Sequence, residues 1–425
     1  MKKFLRGLVL WLLKRWAKRR LKGFKGKVIG VTGSIGKTST KEAIYSVLNT
    51  QFKVKKTQKS MNSDFGLPLT ILDIDSGFSS AFTWSWLLAK AFYNSLFADH
   101  SDVLLLELGA DKPGDMDFLI SIVRPDIAIM TNVFPVHLGD GQFKDLQEIF
   151  EEKSKLIESL GKSGVAILNI DNPFVDNLVE KCKETQVVTF GFGEKADYRA
   201  SEVKLSTEGV SFILNKAGKK FEARSSVLGE YQVYTLVPAL ICAEVLGMSM
   251  EDAIRGLDRY CLPPGRMGII PAKKDSVILD STYNSSPESL KQALRVLEEI
   301  GIGKRKVAVL GSMNELGEKS DDLHAMVGEL IPQHTDLLLT VGVDAKIFAE
   351  KAKEKGMKEE AIFTFTTAHE AAEFFKKKIE TNDVILVKGS QNLVRLERFV
   401  KEFMAEPERA KELLVRQEKV WQAKI

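Results

Sequence analysis

The chain has 425 residues, 44% hydrophobic and 28% charged, enough apolar content for two or three cores. Its three cysteines, Cys182, Cys242 and Cys261, are widely spaced with no CxxC pair, which argues against a disulfide framework or structural zinc and suits a reducing cytoplasm. The net charge of +4 hides an asymmetry: residues 1–27 hold 11 Lys/Arg and no acid, leaving 50 basic against 57 acidic residues elsewhere, a poor balance for a nucleic-acid-binding body.

The first 26 residues place Leu5, Leu8, Val9, Leu12 and Trp16 on one helical face, surrounded by Lys2, Arg6, Lys14, Arg15, Lys18 and Arg19. The unbroken apolar run, Leu8 to Leu13, is far short of the ~20 residues that span a bilayer, and no small-residue cleavage site follows it. A basic, Trp-bearing amphipathic helix predicts attachment to an anionic inner membrane surface; the alternative is a solvated helix packed on the body.

Next comes KVIGVTGSIGKTSTKEAIYSVL, residues 27–48. Val28 to Thr32 reads as a buried strand, Gly33 to Thr38 as a phosphate-binding turn, and Ala43, Ile44, Val47 and Leu48 as the apolar stripe of a helix. Glycines let successive N–H groups face phosphate oxygens, and the helix adds its positive end. Lys37 is expected at the β/γ-phosphates and Thr38 on Mg²⁺; the usual glycine at position 31 is Val31 here.

Phe78 to Phe97 is strongly aromatic with a single charge, Lys90, and reads as a core helix or as a membrane- or substrate-facing surface. Asp102 to Gly109 and Asp126 to Asn132 read as buried parallel strands, which puts Glu107 and His137 beyond strand ends, where ligands bind in open sheets. Gln147 to Leu160 reads as a helix carrying Lys153, Val165 to Asn169 as a strand, Val187 to Val227 as a β meander, and Gly229 to Leu246 as a helix. Cys261 to Arg266 reads as an interdomain hinge. Beyond it, strands are expected at Val277–Asp280, Lys306–Leu310, Leu337–Val341 and Val384–Val387, and a charged surface helix over Pro407–Ile425.

These residues resemble the Mur ligase family, most closely the MurF branch, which joins D-alanyl-D-alanine to a UDP-linked muramoyl tripeptide. The resemblance covers Lys27 to about Phe403. It rests on an ordered set: GVTGSIGKTST (30–40), NSDFGLPLTIL (62–72), LELG (106–109), RPDIAIMTNV with His137, EEKSKLI (151–157) and GVAILNIDNP (164–173). LPPGRMGI (262–269), LDSTYNSSPESL (279–290), VAVLGSMNELGEKSDDLH (307–324) and ILVKGSQN (385–392) complete it. The resemblance implies an α/β chain with a central P-loop domain over 27–262 and a C-terminal Rossmann-like domain over 263–425, behind the basic helix of residues 1–26. It further implies an ADP-forming ligase that makes an amide through an acyl phosphate.

By the same resemblance, Gly33, Ser34, Gly36, Lys37, Thr38, Ser39, Arg266 and Asp280 contact ATP, with Lys37, His137 and Lys153 catalytic. Thr38 and Glu107 serve one Mg²⁺, His137 a second, and Lys153 is carried as a carbamate. Asn62, Tyr283, Asn284, Asn314, Glu315, His324, Lys388 and Ser390 are candidate contacts to a peptide-bearing carboxylate and an amino-acid or dipeptide amine. Two departures stand out. Only 26 residues precede the P-loop strand, too few for a uridine-binding domain, so either another protein supplies that grip or the carboxylate is lipid-linked. Tyr231, Gln232 and Thr235 replace the usual adenine-side residues, Ser281 replaces an acid, and Ser285-Ser286 replace Ala-Asn. A noncatalytic ATP-binding scaffold is the alternative class; intact Lys37, Glu107, His137 and Lys153 speak against it. The expected setting is cytoplasmic, peripheral on the inner face of the membrane.

Overall fold

The computed structural model describes residues 2–58, 61–74, 81–135, 141–182, 184–206, 208–390, 394–418 and 421. Helix α1 (Lys2–Leu21) precedes strand β1 (Lys27–Thr32), helix α2 (Lys37–Leu48) and strand β2 (Val54–Lys56). Helices α3 (Gly66–Ile71) and α4 (Ala81–Asn94) follow, then β3 (Val103–Glu107), α5 (Asp115–Ile120), β4 (Ile127–Met130), α6 (Leu146–Glu158) and β5 (Val165–Asn169). Strands β6 (Gln186–Gly191), β7 (Tyr198–Ser206), β8 (Gly209–Lys216) and β9 (Lys219–Ser225) complete a nine-stranded sheet ordered β2-β3-β1-β4-β5-β6-β7-β8-β9. It is parallel from β2 to β7 and ends in an antiparallel meander.

The parallel strands are apolar on both faces, as strands covered by helices on each side must be. Ile29, Val31, Leu105 and Ile129 join one core with α2 and the helix Val233–Val245. Val28, Leu104, Leu106 and Met130 join the other with α1, α3, α4, α5 and α6. Because β1 has β3 on one side and β4 on the other, a crevice opens at its carboxyl end, where such sheets take ligands.

The second sheet uses β10 (Gly268–Pro271), β11 (Val277–Ser281), β12 (Lys306–Gly311), β13 (Leu337–Val341), β14 (Ile362–Phe365) and β15 (Val384–Lys388), ordered β10-β11-β15-β12-β13-β14. All are parallel except the edge strand β10. The four expected strands fall where the apolar runs put them; β10 and β14 are short, half-exposed edge strands whose pattern is too weak to announce them.

Two expectations need correction. The tail is not one charged helix: Pro407–Arg409 and Ala410–Leu413 form two short turns, after which Leu414 and Arg416 turn inward and are buried. Residues 419–420 and 422–425 lie outside the described set. Helix α1 is docked on the body through Leu13, Ala17 and Arg20, with Trp16 edge-on to Phe92, so Trp16 packs inward while Leu5 and Leu8 face out. The apolar side chains of α1 therefore serve two faces rather than one.

Candidate active site

The turn between β1 and α2 depends on two glycines. Gly33 (φ +138°) passes so close to Thr131 that any Cβ would collide with it, and Gly36 (φ +90°) holds the left-handed conformation just before α2. Thr131 Oγ1 donates to Ile35 O (2.7 Å), and Ser34 N donates to Asn132 O (2.9 Å), which fastens the turn to the end of β4. Lys37 Nζ curls back onto the turn, donating to Gly33 O (2.9 Å) and Ser34 O (3.2 Å). Burial lowers its pKa, against the opposing pull of Glu107 and Asp111.

Glu107 ends β3, facing that turn. Its Oε1 accepts from Thr38 Oγ1 (3.1 Å) and Asn62 Nδ2 (2.9 Å); its Oε2 is buried with no hydrogen-bond partner. The ammonium of Lys41, wholly buried, lies 3.7 Å from Oε2 and donates to Thr57 O (2.7 Å). A buried carboxylate oxygen without a donor, beside a hydroxyl, is a hard-oxygen set that fits a divalent cation. Among the described residues no group of three or more His, Cys, Asp or Glu gathers to hold a metal.

Lys153 is buried on α6 rather than exposed, and its Nζ donates to Ala110 O (3.0 Å). Burial, then the like charge of Lys37, pulls its pKa down to about 7. His137 lies outside the described residues.

A cleft of about 600 Å³ runs from this turn to the second sheet. The nine-stranded side contributes Ser34, Gly36, Lys37, Thr38, Ser39, Asn62, Glu107, Asp111, Asn169, Asn172, Tyr231, Gln232 and Thr235; the other side contributes Arg266, Ser281, Tyr283, Asn284, Ser285, Glu315 and Lys388. Arg266 spans the two. Its Nη2 donates to Thr38 Oγ1 (3.2 Å), and its guanidinium sits 4.3 Å from the centre of the Tyr283 ring.

Other candidates lie behind the cleft wall. Asp280 is buried and holds Thr282, accepting from its Oγ1 (2.7 Å), and burial raises its pKa to about 6. His324 is buried, its Nε2 accepting from Met313 N (2.9 Å) and its Nδ1 bonded to Ser320 O (2.7 Å). Ser390 Oγ donates to Ser285 O (3.1 Å) and accepts from Asn314 N (2.9 Å). Lys388 does reach the cleft, yet its Nζ donates to Asn284 O (2.9 Å) and Ser281 Oγ (3.1 Å), and burial draws its pKa down to about 7.

Sequence reasoning missed Lys41 and Arg416. Lys41 stands three residues before Ile44 and seven before Leu48, on the buried stripe of α2, which was the available signal. Arg416, paired with buried Glu397 (3.1 Å), donates to Thr282 O (3.1 Å) and Tyr283 O (2.7 Å), tying the tail to the cleft loop. Nothing local in the sequence announced it.

Residues 31–243 match the Mur ligase middle domain, and residues 265–391 the Mur ligase glutamate ligase domain. A UDP-N-acetylmuramoyl-tripeptide–D-alanyl-D-alanine ligase of Bacillus subtilis is 31% identical over 400 residues, 94% of this chain and 80% of the relative. Among solved structures, a MurF ligase from Thermotoga maritima in complex with ADP superposes with a TM-score of 0.78 at 27% identity, covering 94% of this chain and 84% of that one. MurF from Acinetobacter baumannii gives 0.75 at 29%, covering 91% and 79%. The chain belongs to the Mur ligase family, and it is an ATP-dependent, ADP-forming peptide ligase.

Proposed function

We propose that the chain joins a D-alanyl-D-alanine-type amine to a peptide-bearing carboxylate of peptidoglycan precursor assembly. What supports this is the phosphate turn, Glu107 and Arg266 meeting at one cleft, over which two lobes, proposed as 27–262 and 263–425, would close. A carboxylate oxygen attacks the γ-phosphorus of ATP, ADP leaves, and an acyl phosphate forms. The amine nitrogen then attacks the acyl carbon through a tetrahedral intermediate, losing a proton and expelling phosphate. Such transfers ask for alignment and charge neutralisation more than covalent help. Lys37 would leave its two carbonyl partners for the β/γ-phosphates, with Gly33, Ser34, Gly36 and Ser39 shaping the turn around them, and Arg266 would move from Thr38 to phosphate oxygens as the lobes close.

Thr38 and Glu107 would hold Mg²⁺, and His137 with carbamylated Lys153 a second ion; when bound, the metal neutralises charge on the phosphates. A carbamate needs an uncharged amine, whose lone pair attacks carbon dioxide with loss of a proton, and the buried setting of Lys153 favours that form. Tyr283, Asn284, Glu315 and Lys388, with Asn62 opposite, are the proposed substrate contacts. Asp280, Asn314, His324 and Ser390 are proposed to hold that wall in shape. A setting at the cytoplasmic face of the membrane is proposed from the basic α1, with a lipid-linked carboxylate as the second reading, for which the exposed aromatics of α4 speak.

ADP release by the purified chain should require ATP, Mg²⁺, a carboxylate and an amine together. Comparing UDP-linked with lipid-linked carboxylates separates the two substrates, and ADP release without either acceptor would reject the ligase reading for a plain ATPase.

A further inference from the structure

The outward face of α4 is built from Trp86, Phe92 and Tyr93, continued by Leu96 and Phe97, all exposed; Trp86 is 63% and Tyr93 61% accessible. Beside it α1 exposes Leu5, Leu8 and Trp11, the last 56% accessible. Trp16 of α1 meets Phe92 of α4 at 5.6 Å, so the two helices lie against each other. Large exposed apolar patches of this kind mark contact surfaces.

Among the described residues, the charges carried by α1 and α4 themselves have one sign. Neither helix contains an Asp or Glu, while Arg15, Lys18, Arg19, Lys22 and Lys25 are exposed. Acids from neighbouring elements are already paired: Asp64 with Arg6 (3.2 Å), Asp73 with Arg20 (2.5 Å), and Asp99 with Lys55 (2.6 Å). Indole and phenol rings ringed by Arg and Lys suit the headgroup layer, where apolar bodies sink and charged tips stay wet. No helix among the described residues is long and apolar enough to cross a membrane, so the face would lie in the interface. A second copy of the same face would set like charges against each other.

We infer that α1 and α4 together form a docking surface for an anionic lipid bilayer. This rests on the membrane-side location proposed above and names the surface responsible, adding the α4 aromatics as a second half equal to α1. The pair is strutted to the cleft: Arg6 of α1 grips Asp64 and lies over Phe65 (5.2 Å), two and three residues past Asn62. Docking therefore orients the cleft mouth relative to the bilayer plane.

The test is co-sedimentation of the full chain with mixed phosphatidylglycerol–phosphatidylcholine vesicles, with pure phosphatidylcholine as reference, while tryptophan fluorescence is followed. The wild type should bind the anionic vesicles with a blue shift and release in salt. Arg15→Glu/Lys18→Glu/Arg19→Glu should weaken binding about a hundredfold or more, at roughly a factor of five per lost charge. Trp86→Ser/Tyr93→Ser/Phe97→Ser should abolish binding while circular dichroism and ADP affinity stay those of the wild type. Wild-type protein that ignores anionic vesicles would overturn the membrane-side location and this surface together. Variants that bind like wild type would overturn the surface alone, as would an aromatic variant that turns a dimer into a monomer. ADP affinity, measured without vesicles, reports on the ligase reading independently.

Discussion

On the wall made by the nine-stranded sheet, Glu107 Oε2 is buried without a hydrogen-bond partner and Lys37 is spent on its own turn. On the wall made by the six-stranded sheet, Lys388, Ser390 and His324 have committed their polar atoms to neighbouring loop carbonyls, amides and hydroxyls. Glu107 is left able to gain a partner when a cation arrives, whereas Lys388, Ser390 and His324 already fix the shape of a loop. Residue type alone does not tell the walls apart, since a lysine stands on each. Both donate to the protein's own atoms; what separates them is their place, Lys37 on the turn before α2 and Lys388 between Ser281 and Asn284.

Substitutions of Lys37 and Glu107 should therefore destroy turnover and spare the fold, and those of His324 and Ser390, behind the second wall, should do the reverse. The largest effect is expected from Lys37→Ala, which should cut ADP release about a thousandfold or more with the melting temperature nearly unchanged, since a positioned charge at a transition state is commonly worth that much. Glu107→Gln should follow, with about a hundredfold loss and a raised Mg²⁺ requirement, read by titrating the metal at fixed ATP. For Lys153→Ala, activity should fall and lose any response to added bicarbonate, whereas the wild type should gain activity with bicarbonate and show a carbamate carbon by NMR.

Smaller effects belong to the second wall. His324→Ala leaves the Met313 amide buried without its acceptor and should cost about 1–3 kcal/mol of stability, seen in denaturant melts, while ADP affinity changes little. Lys388→Met sharpens the comparison through pH. Its folded pKa is depressed to about 7 from 10.5, so the unfolded chain binds the extra proton between those values and this lysine makes stability rise with pH across that window. The variant should flatten that rise.

How much of this was readable beforehand follows from the same distinction. The phosphate turn is local: strand, glycines, Lys37, Thr38 and helix lie within 22 residues and need no tertiary information. Glu107 was legible as the acid ending a buried strand, and the parallel strands as apolar runs. The resemblance makes Asp280 an ATP contact and His324 and Ser390 substrate contacts; all three are buried, and only three-dimensional partners reveal that. Arg416 was hidden for another reason. Its carbonyl partners at Thr282 and Tyr283 are more than 130 residues away, and a charged tail offers no pattern that predicts burial. The outward aromatics of α4 were ambiguous because apolar helices are most often core.

The most direct test follows oxygen from a carboxylate substrate labelled with ¹⁸O during a complete reaction with ATP and amine. Attack by that carboxylate on the γ-phosphorus, between the two walls, predicts that the released phosphate carries one labelled oxygen per amide formed. Unlabelled phosphate would mean that water, not the carboxylate, takes the phosphoryl group, and would contradict the account.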